Sequence, residues 1–179
     1  MNEQNTGRVN MRVLGLVVAA VFIAGSVLAG NIDTAEKYAW SSQVGWVNHA
    51  PSDGGGVTVV DAGANSYLSG YAWAENIGWI KLGSGTGPYA NTTSANWGVN
   101  MDAAGNLSGY AWSSQAGWIN FDSTHSQVAV NIANGQFSGE AWGENVGWVG
   151  FRDTSPAYGV RTTVFDAPPL LGPTVIRFQ

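Results

Sequence analysis

Eight of the nine tryptophans occur as four pairs, and the two members of each pair are separated by five residues. The pairs lie in four related segments, KYAWSSQVGWVNH from Lys37, GYAWAENIGWIKL from Gly70, GYAWSSQAGWINF from Gly109 and GEAWGENVGWVGF from Gly139. An indole ring can cover the apolar face of a sugar while neighbouring polar groups hydrogen-bond to the sugar hydroxyls. The chemistry that this pattern indicates is therefore noncovalent binding of a carbohydrate.

The candidate sugar platform consists of the paired indoles and the tyrosine and asparagine side chains beside them. Its members are Trp40, Trp46, Trp73, Trp79, Trp112, Trp118, Trp142, Trp148, Tyr71, Tyr110 and Asn120. The alternative is that each pair packs against the pair of the next repeat and forms a second small core. We favour packing, because every repeat must pack whereas only some need to bind. The replacement of Tyr71 and Tyr110 by Glu140 in the fourth segment also indicates a position that tolerates change.

Residues that could support catalysis are few. His49 and His125 are the only histidines, and we predict that both lie at the surface, at or just beyond a strand end. Asp61, Asp102 and Glu140 are explained by turn geometry or by their place on a strand face. No nucleophile-elbow, zinc-protease or phosphate-loop spacing occurs, and no turn collects enough oxygen atoms for calcium. We predict a non-enzyme without a cofactor or a metal.

The composition narrows the choice of partners. The formal net charge is −5, and an acidic chain lacks the basic surface that nucleic acids and anionic lipids require. The absence of cysteine excludes disulfides, thiolate metal sites and thiol nucleophiles. The partners that we expect are a second copy of the chain, as a homo-oligomer or filament, or a cell-surface glycan.

Residues 1–29 have the pattern of an export signal. Arg8 and Arg12 precede an uncharged apolar run, and Val27 and Ala29 supply the small residues of a cleavage site before Gly30. The alternative is a retained membrane anchor, since the apolar run is only slightly short of a spanning helix. Removal of residues 1–29 takes away two arginines and one glutamate, so the net charge moves from −5 to −6. Both interpretations place the rest of the chain outside the cytoplasm, in the periplasm, at the cell surface or beyond it. Membrane contact is expected only through an uncleaved N-terminal segment.

The spacing of the segments predicts a repeat protein built from strands. Each full unit has a first strand of alternating apolar residues, a turn rich in Asp, Asn and Gly, and then two strands that carry the tryptophans. The predicted class is all-β, with four tandem three-stranded antiparallel meanders behind an N-terminal signal helix. The turns between the paired tryptophans alternate between Ser-Ser-Gln and Glu-Asn, which indicates a duplicated pair of units or a structure with two inequivalent sides.

A register follows from placing Trp73 opposite Trp79. Alternate residues then point to opposite faces, so that Ala72 and Ile80 share an aliphatic face and the tryptophans lie on the other face. We predict that the aliphatic face is the core, and that Gly70, Gly109 and Gly139 lie on it and allow another layer to approach closely. The first strand of the fourth unit is predicted to pair Ile132 with Phe137.

The assembly of the units has two possible forms. The first segment lacks an obvious preceding strand, whereas Tyr158–Phe165 resembles such a strand without its partners. We favour closure of the units on themselves, propeller- or barrel-like, with the C-terminal strand completing the first unit. The alternative is an open β-solenoid-like stack.

The chain is thus divided into three parts: a signal peptide or anchor at 1–29, a β-repeat domain at 30–165 and a Pro-rich tail at 166–179. Within the domain the predicted repeat cores are 37–49, 57–82, 97–121 and 128–151, followed by a closing strand at 158–165. We expect the tail to be an ordered final strand of its own domain; the alternative is an arm that adds to another subunit.

The segment GYAWSSQAGWINF resembles a tandem repeat of exported and cell-surface bacterial proteins, mostly of unassigned function. The resemblance covers roughly residues 37 to 165 and implies an extracellular or envelope location and a non-catalytic role. It carries over no binding residues, and this chain has only four copies. We therefore expect a structural or adhesive protein of the cell envelope or extracellular space, for which self-assembly as a homo-oligomer is one mode of action. The alternative is a secreted, lectin-like carbohydrate-binding module that uses the paired tryptophans.

Overall fold

The computed structural model describes residues 30–166. These residues are all-β: their only helical element is a short 3-10 turn at Gly63–Asn65, and the strands form a large antiparallel sheet. The signal segment predicted at 1–29 and all but the first residue of the tail predicted at 166–179 lie outside this range. Residues 30–166 contain no helix with the length and apolar character that a membrane crossing requires.

The fourteen strands of residues 30–166 are numbered in chain order. Their bounds are β1 Ile32–Ser41, β2 Gly45–Asn48, β3 Gly56–Val60, β4 Ser66–Ala74, β5 Gly78–Lys81, β6 Val99–Met101, β7 Leu107–Ser113, β8 Gly117–Asn120, β9 Ala129–Val130, β10 Phe137–Ser138, β11 Glu140–Gly143, β12 Gly147–Gly150, β13 Arg152–Thr154 and β14 Ala157–Thr162.

The four tryptophan pairs each close a hairpin, formed by β1–β2, β4–β5, β7–β8 and β11–β12. Trp73 lies opposite Trp79 and Ala72 lies opposite Ile80, as the register predicted. The other three hairpins repeat this alignment, with the first tryptophan opposite the second in each. The repeated Trp-x5-Trp spacing therefore encodes a hairpin of fixed register. We call these hairpins, with the strands that precede them, repeats 1 to 4.

The hairpins follow one another through a twelve-stranded sheet. Its order is β12-β11-β8-β7-β5-β4-β2-β1-β14-β13, with β3 and β6 attached beside this path. The strand β12 also pairs with β1, where Gly150 lies opposite Trp40. Nearer its N-terminal end β1 pairs with β14, where Lys37 lies opposite Val160. The first strand of the chain thus contacts both the fourth hairpin and the last strand.

A strand precedes the hairpin in repeats 2 to 4, and its pairing corrects one prediction. Val130 lies opposite Phe137, so the predicted pairing of Ile132 with Phe137 is wrong by two residues. The cause is the turn, in which Asn131 donates its N–H to the Gln136 carbonyl and its side chain accepts the N–H of Ala133. Ile132 is consequently part of the turn and is exposed. A shift of two preserves the faces, so Val130 remains in the core.

The repeated glycine before the first tryptophan marks a bend in each long strand. Gly70, Gly109 and Gly139 have φ values of +84°, +92° and +80°, in the region that disfavours side chains. None of the three is buried, so they do not pack in the core as predicted, and the close approach that they allow is that of a neighbouring segment of the sheet. A β-carbon on Gly109 would lie 2.2 Å from the Gly98 carbonyl oxygen, in the neighbouring strand segment. In repeat 1 the equivalent position is Lys37, and there the pairing of β1 with β14 shifts register instead.

The aliphatic face of the hairpins forms the core, as predicted. Leu68, Ala72, Ile80 and Leu82 are all buried, and so are their counterparts in repeats 3 and 4; in repeat 1 the counterpart of Leu68, Ala35, is exposed and the other three are buried. Full burial of each large aliphatic side chain contributes roughly 1.5–3 kcal/mol. The core therefore uses only one face of each hairpin.

His49 occupies this core, so its predicted surface position is wrong. It follows β2 at the position that Leu82, Phe121 and Phe151 hold in the other repeats, and its ring centroid is 5.3 Å from that of Phe151. Its Nδ1 lies 3.2 Å from the Val47 carbonyl oxygen. Burial disfavours the charged ring and lowers the pKa of His49 to about 4.

Side chains in the turns connect neighbouring repeats. The buried Ser41 hydroxyl donates to the Val146 carbonyl at 2.6 Å, and the equivalent Ser113 hydroxyl donates to the Ile77 carbonyl at 3.2 Å. Each hydroxyl also accepts the N–H of the residue two positions later. The first bond joins repeat 1 to repeat 4, and the second joins repeat 3 to repeat 2.

The substitution Ser41→Ala should lower the free energy of unfolding by about 1–3 kcal/mol, because it leaves the Val146 carbonyl without its donor in a buried site. Urea unfolding monitored by circular dichroism measures the loss. Ser42→Ala is the matched control, since Ser42 is exposed. Equal stability of the two variants would contradict a role for the hydroxyl in joining repeats 1 and 4.

Candidate functional site

The predicted platform residues lie on the outer face of the hairpins. All eight paired indoles remain between 36% and 45% exposed, with Trp73 the least exposed and Trp46 the most. Alternation in the hairpin explains this, because Ala72 and Ile80 turn inward and their neighbours Trp73 and Trp79 must turn outward. We call the eight indoles together with Tyr38, Tyr71 and Tyr110 the aromatic surface.

The two indoles of each repeat contact one another directly. Their ring centroids are 4.6–5.0 Å apart, in edge-to-face or tilted arrangements with interplanar angles between 53° and 70°. Such pairs contribute about 0.5–1.5 kcal/mol beyond the area that they bury. The pairs therefore fix the hairpin turns and hold the rings in a defined orientation.

Packing of each pair against the next, which we favoured from the sequence, is not what the described residues show. Their aromatic contacts join the two indoles within a repeat rather than indoles of successive repeats. The physical reason is that neighbouring hairpins lie side by side in one sheet, so the strands of residues 30–166 place no second sheet above the outer face. The indoles stabilise the hairpins and still leave much of their surface in solvent.

The predicted tyrosines lie against the second indole of their own repeat. Tyr71 and Trp79 have ring centroids 6.1 Å apart, and so do Tyr110 and Trp118. Tyr38, which the sequence prediction omitted, contacts Trp46 at 6.0 Å in the same way. Alignment of KYAW with GYAW would have identified it.

The amide of Asn120 is partly committed to the turn that follows it. Its Nδ2 donates to the Asp122 carbonyl at 3.1 Å, and its Oδ1 accepts the Asp122 N–H at 3.0 Å. Asn48 holds the equivalent position in repeat 1 and accepts the N–H of Ala50 at 2.9 Å. Both amides are thereby oriented, and each still has at least one side-chain N–H and one oxygen lone pair for a further hydrogen bond.

Several neighbours of the aromatic surface come from outside the repeated motif. The Tyr158 ring, on β14, contacts Trp46 at 5.4 Å, and Trp97 contacts Trp118 at 5.1 Å. His125 lies 6.5 Å from Trp148. Burial, followed by the charges of Asp153 and Glu140, raises the pKa of the Tyr158 hydroxyl. The repeat pattern gave no signal for these contacts, since the three residues lie outside the Trp-x5-Trp motif.

Two grooves open on the aromatic surface where neighbouring repeats meet. The first groove, of about 580 Å³, lies between repeats 1 and 2 and includes Trp46 and Trp73. The second groove, of about 500 Å³, lies between repeats 3 and 4 and includes Trp118 and Trp142. Both volumes are in the range of small-molecule sites. Each groove combines indole surface with carboxylate and amide groups.

The acidic turn residues have structural partners. The Asp102 carboxylate accepts the N–H of Ala104 and both the N–H and the side-chain amide of Asn106. These hydrogen bonds, the side-chain amide first, lower the pKa of Asp102. Within the described range, no three histidine or carboxylate side chains come together as a metal site would need. The side chains of the aromatic surface can bind a ligand through van der Waals contacts and hydrogen bonds.

No protein-family model, curated protein or solved structure matches this chain. The resemblance of GYAWSSQAGWINF to a repeat of exported bacterial proteins stays a prediction. A functional proposal must therefore be based on the geometry of the aromatic surface itself.

Proposed function

We propose that the protein is a non-catalytic, exported repeat protein that binds glycans through its aromatic surface. The observation that carries the proposal is the exposure of all eight paired indoles, on the face opposite the core. Clusters of exposed large apolar side chains of this kind mark interaction sites in soluble proteins. Indole rings held in a fixed orientation suit the flat apolar face of a pyranose ring.

The proposal includes a closed arrangement of the four repeats. Its support is the pairing of β12 with β1 and of β14 with β1, together with the hydrogen bond from Ser41 to Val146. In a closed arrangement the hairpin edges are paired, and the aromatic surface faces outward around the ring. A rigid ring would present the indoles without further ordering of the chain, which lowers the entropic cost of binding.

The structural or adhesive envelope protein predicted from the sequence is the second candidate. It is favoured by the same exposed aromatic surface, which another copy of the chain could cover. Sedimentation velocity over a hundredfold range of concentration separates the two candidates. Self-assembly requires oligomers that grow with concentration, whereas glycan binding requires no association of the free protein.

A direct test combines a glycan array with titration of intrinsic tryptophan fluorescence. The wild-type protein should bind neutral glycans, and the double variant Trp46→Ala/Trp118→Ala should lose at least about tenfold in affinity, equivalent to about 1.4 kcal/mol. Ile132→Ala is the control, because Ile132 is an exposed apolar residue outside the aromatic surface. Circular dichroism verifies the fold of both variants. Absence of binding by the wild-type protein, or equal binding by the folded double variant, would contradict the proposal.

A further inference from the structure

The two grooves share five side chains at equivalent positions, and the first groove also includes Tyr158 of β14, which has no counterpart among the described residues that line the second. In the first groove repeat 1 supplies Trp46 and Asn48, and repeat 2 supplies Trp73, Glu75 and Asn76. In the second groove repeat 3 supplies Trp118 and Asn120, and repeat 4 supplies Trp142, Glu144 and Asn145. The two sets agree in residue type at all five positions.

The alternation of turn sequences produces this equivalence. The Asn76 amide donates to the Val44 carbonyl of repeat 1 at 3.2 Å, and the Asn145 amide donates to the Ala116 carbonyl of repeat 3 at 3.1 Å. At both grooves the asparagine of a Glu-Asn turn thus hydrogen-bonds to the Ser-Ser-Gln turn of the preceding repeat. The relation is that of two copies of a repeat pair.

The other two junctions between repeats are built differently. There the link is the serine hydroxyl, from Ser113 to Ile77 and from Ser41 to Val146. The position of the groove glutamate is held by Ser42 and Ser114 in repeats 1 and 3. At the junction of repeats 4 and 1 the Gln43 side chain also lies close over Gly147, where a β-carbon would be 3.0 Å from its Cγ. The carboxylate and amide groups therefore accompany the indoles at alternate junctions.

The groups in the grooves disfavour an acidic ligand. Glu75 and Glu144 are exposed carboxylates, which accept hydrogen bonds from sugar hydroxyls and repel acidic sugars. Among residues 30–166, neither groove is lined by a lysine or an arginine that could pair with a uronate, sulfate or sialate group. The indoles supply the stacking surface and the asparagine amides supply both donors and acceptors. This combination fits a neutral pyranose glycan.

We infer that the protein carries two equivalent sites for neutral pyranose glycans, one in each groove, and is bivalent. The inference rests on the proposed function and adds to it the number of sites, their location and the charge class of the ligand. Each site is formed only where a Ser-Ser-Gln repeat precedes a Glu-Asn repeat. A bivalent protein links two glycan chains, so it should cross-link a soluble polysaccharide.

Isothermal titration calorimetry with neutral tetrasaccharides, namely cellotetraose, xylotetraose and mannotetraose, measures the number of sites. The wild-type protein should bind two molecules of at least one probe. Trp46→Ala and Trp118→Ala should each reduce the stoichiometry from two to one. Ile132→Ala should retain two sites. Tetragalacturonate, as the acidic comparison, should bind at least about tenfold more weakly than the preferred neutral probe.

Less disruptive variants keep the test decisive where an indole variant fails to fold. Glu75→Gln and Glu144→Gln replace exposed carboxylates, and each should weaken one site while the other keeps its wild-type affinity. A stoichiometry of one or of four, or complete loss of binding from a change in one groove, would overturn bivalency and leave glycan binding in place. Preferred binding of tetragalacturonate would overturn the ligand class. Absence of binding to every probe and every arrayed glycan would overturn both the inference and the proposed function.

Discussion

The substitution Gly109→Ala should lower the free energy of unfolding by about 2–6 kcal/mol. Gly109 has a φ of +92°, where a residue with a β-carbon costs about 1–3 kcal/mol in backbone strain. Its β-carbon would also lie 2.2 Å from the Gly98 carbonyl oxygen and 2.6 Å from Nδ2 of Asn91. Displacing these groups costs a further 1–3 kcal/mol or so, as in an overpacked core.

Chemical denaturation followed by circular dichroism measures this effect. Gly85→Ala is the matched control, because a β-carbon at Gly85 meets no atom within 4 Å and its φ lies outside the positive region. The control should differ from the wild-type protein by less than about 1 kcal/mol. A Gly109→Ala variant as stable as the control would contradict the bend that we assign to the repeated glycine.

The substitution His49→Leu should remove roughly 3 kcal/mol of pH dependence from the stability between pH 7 and pH 4. In the folded protein burial lowers the pKa of His49 to about 4, against an ordinary value of 6.5 that the unfolded chain retains. Between these values the unfolded state binds a proton that the folded state does not. Stability is therefore full above pH 6.5 and falls as the pH drops toward 4.

Urea unfolding at pH 7, 5.5 and 4 measures this dependence. Leucine is the residue that repeat 2 carries at the same position, as Leu82, so the variant retains an apolar core. His125→Gln is the control for the loss of one histidine, since the His125 side chain is exposed. The Leu variant should lose less stability at pH 4 than the wild-type protein does. Parallel losses in the two proteins would contradict a neutral, buried His49.

Much of the fold could be predicted because several repeats indicate the same strand register. Setting Trp73 opposite Trp79 determined the two faces, and the structure confirms the buried face through Ala72, Ile80 and Leu82. Alternation is a strict property of strands, so a single correct pairing fixes the side on which every other residue of the hairpin lies. The all-β class and the hairpins follow from it.

Other features depend on contacts that a strand pattern does not contain. His49 was assigned to the surface from its residue type, although its place in the repeat is that of Leu82. Ile132 was paired as a strand residue because the hydrogen bonds of the Asn131 turn are not visible in an apolar alternation. The glycine bend arises from the approach of a separate strand segment, which only the assembled sheet brings near Gly109.

The sequence predicted which residues belong to the candidate site but not how they are arranged. The indoles, Tyr71, Tyr110 and Asn120 were identified from the motif, whereas their exposure depends on the absence of a second layer above the sheet. The alternation of Ser-Ser-Gln and Glu-Asn was visible in the sequence. Its consequence, a glutamate and an asparagine beside the indoles at alternate junctions, required the order of the hairpins in the sheet.

The central claim is that the paired indoles form an accessible outer surface rather than a second core. Quenching of tryptophan fluorescence by the neutral quencher acrylamide, at a concentration where sedimentation shows monomers, tests it most directly. We predict that most of the emission of the folded protein is quenched, and that a bound neutral glycan protects part of it. Emission that acrylamide scarcely quenches in the folded monomer would show buried indoles and would contradict the claim.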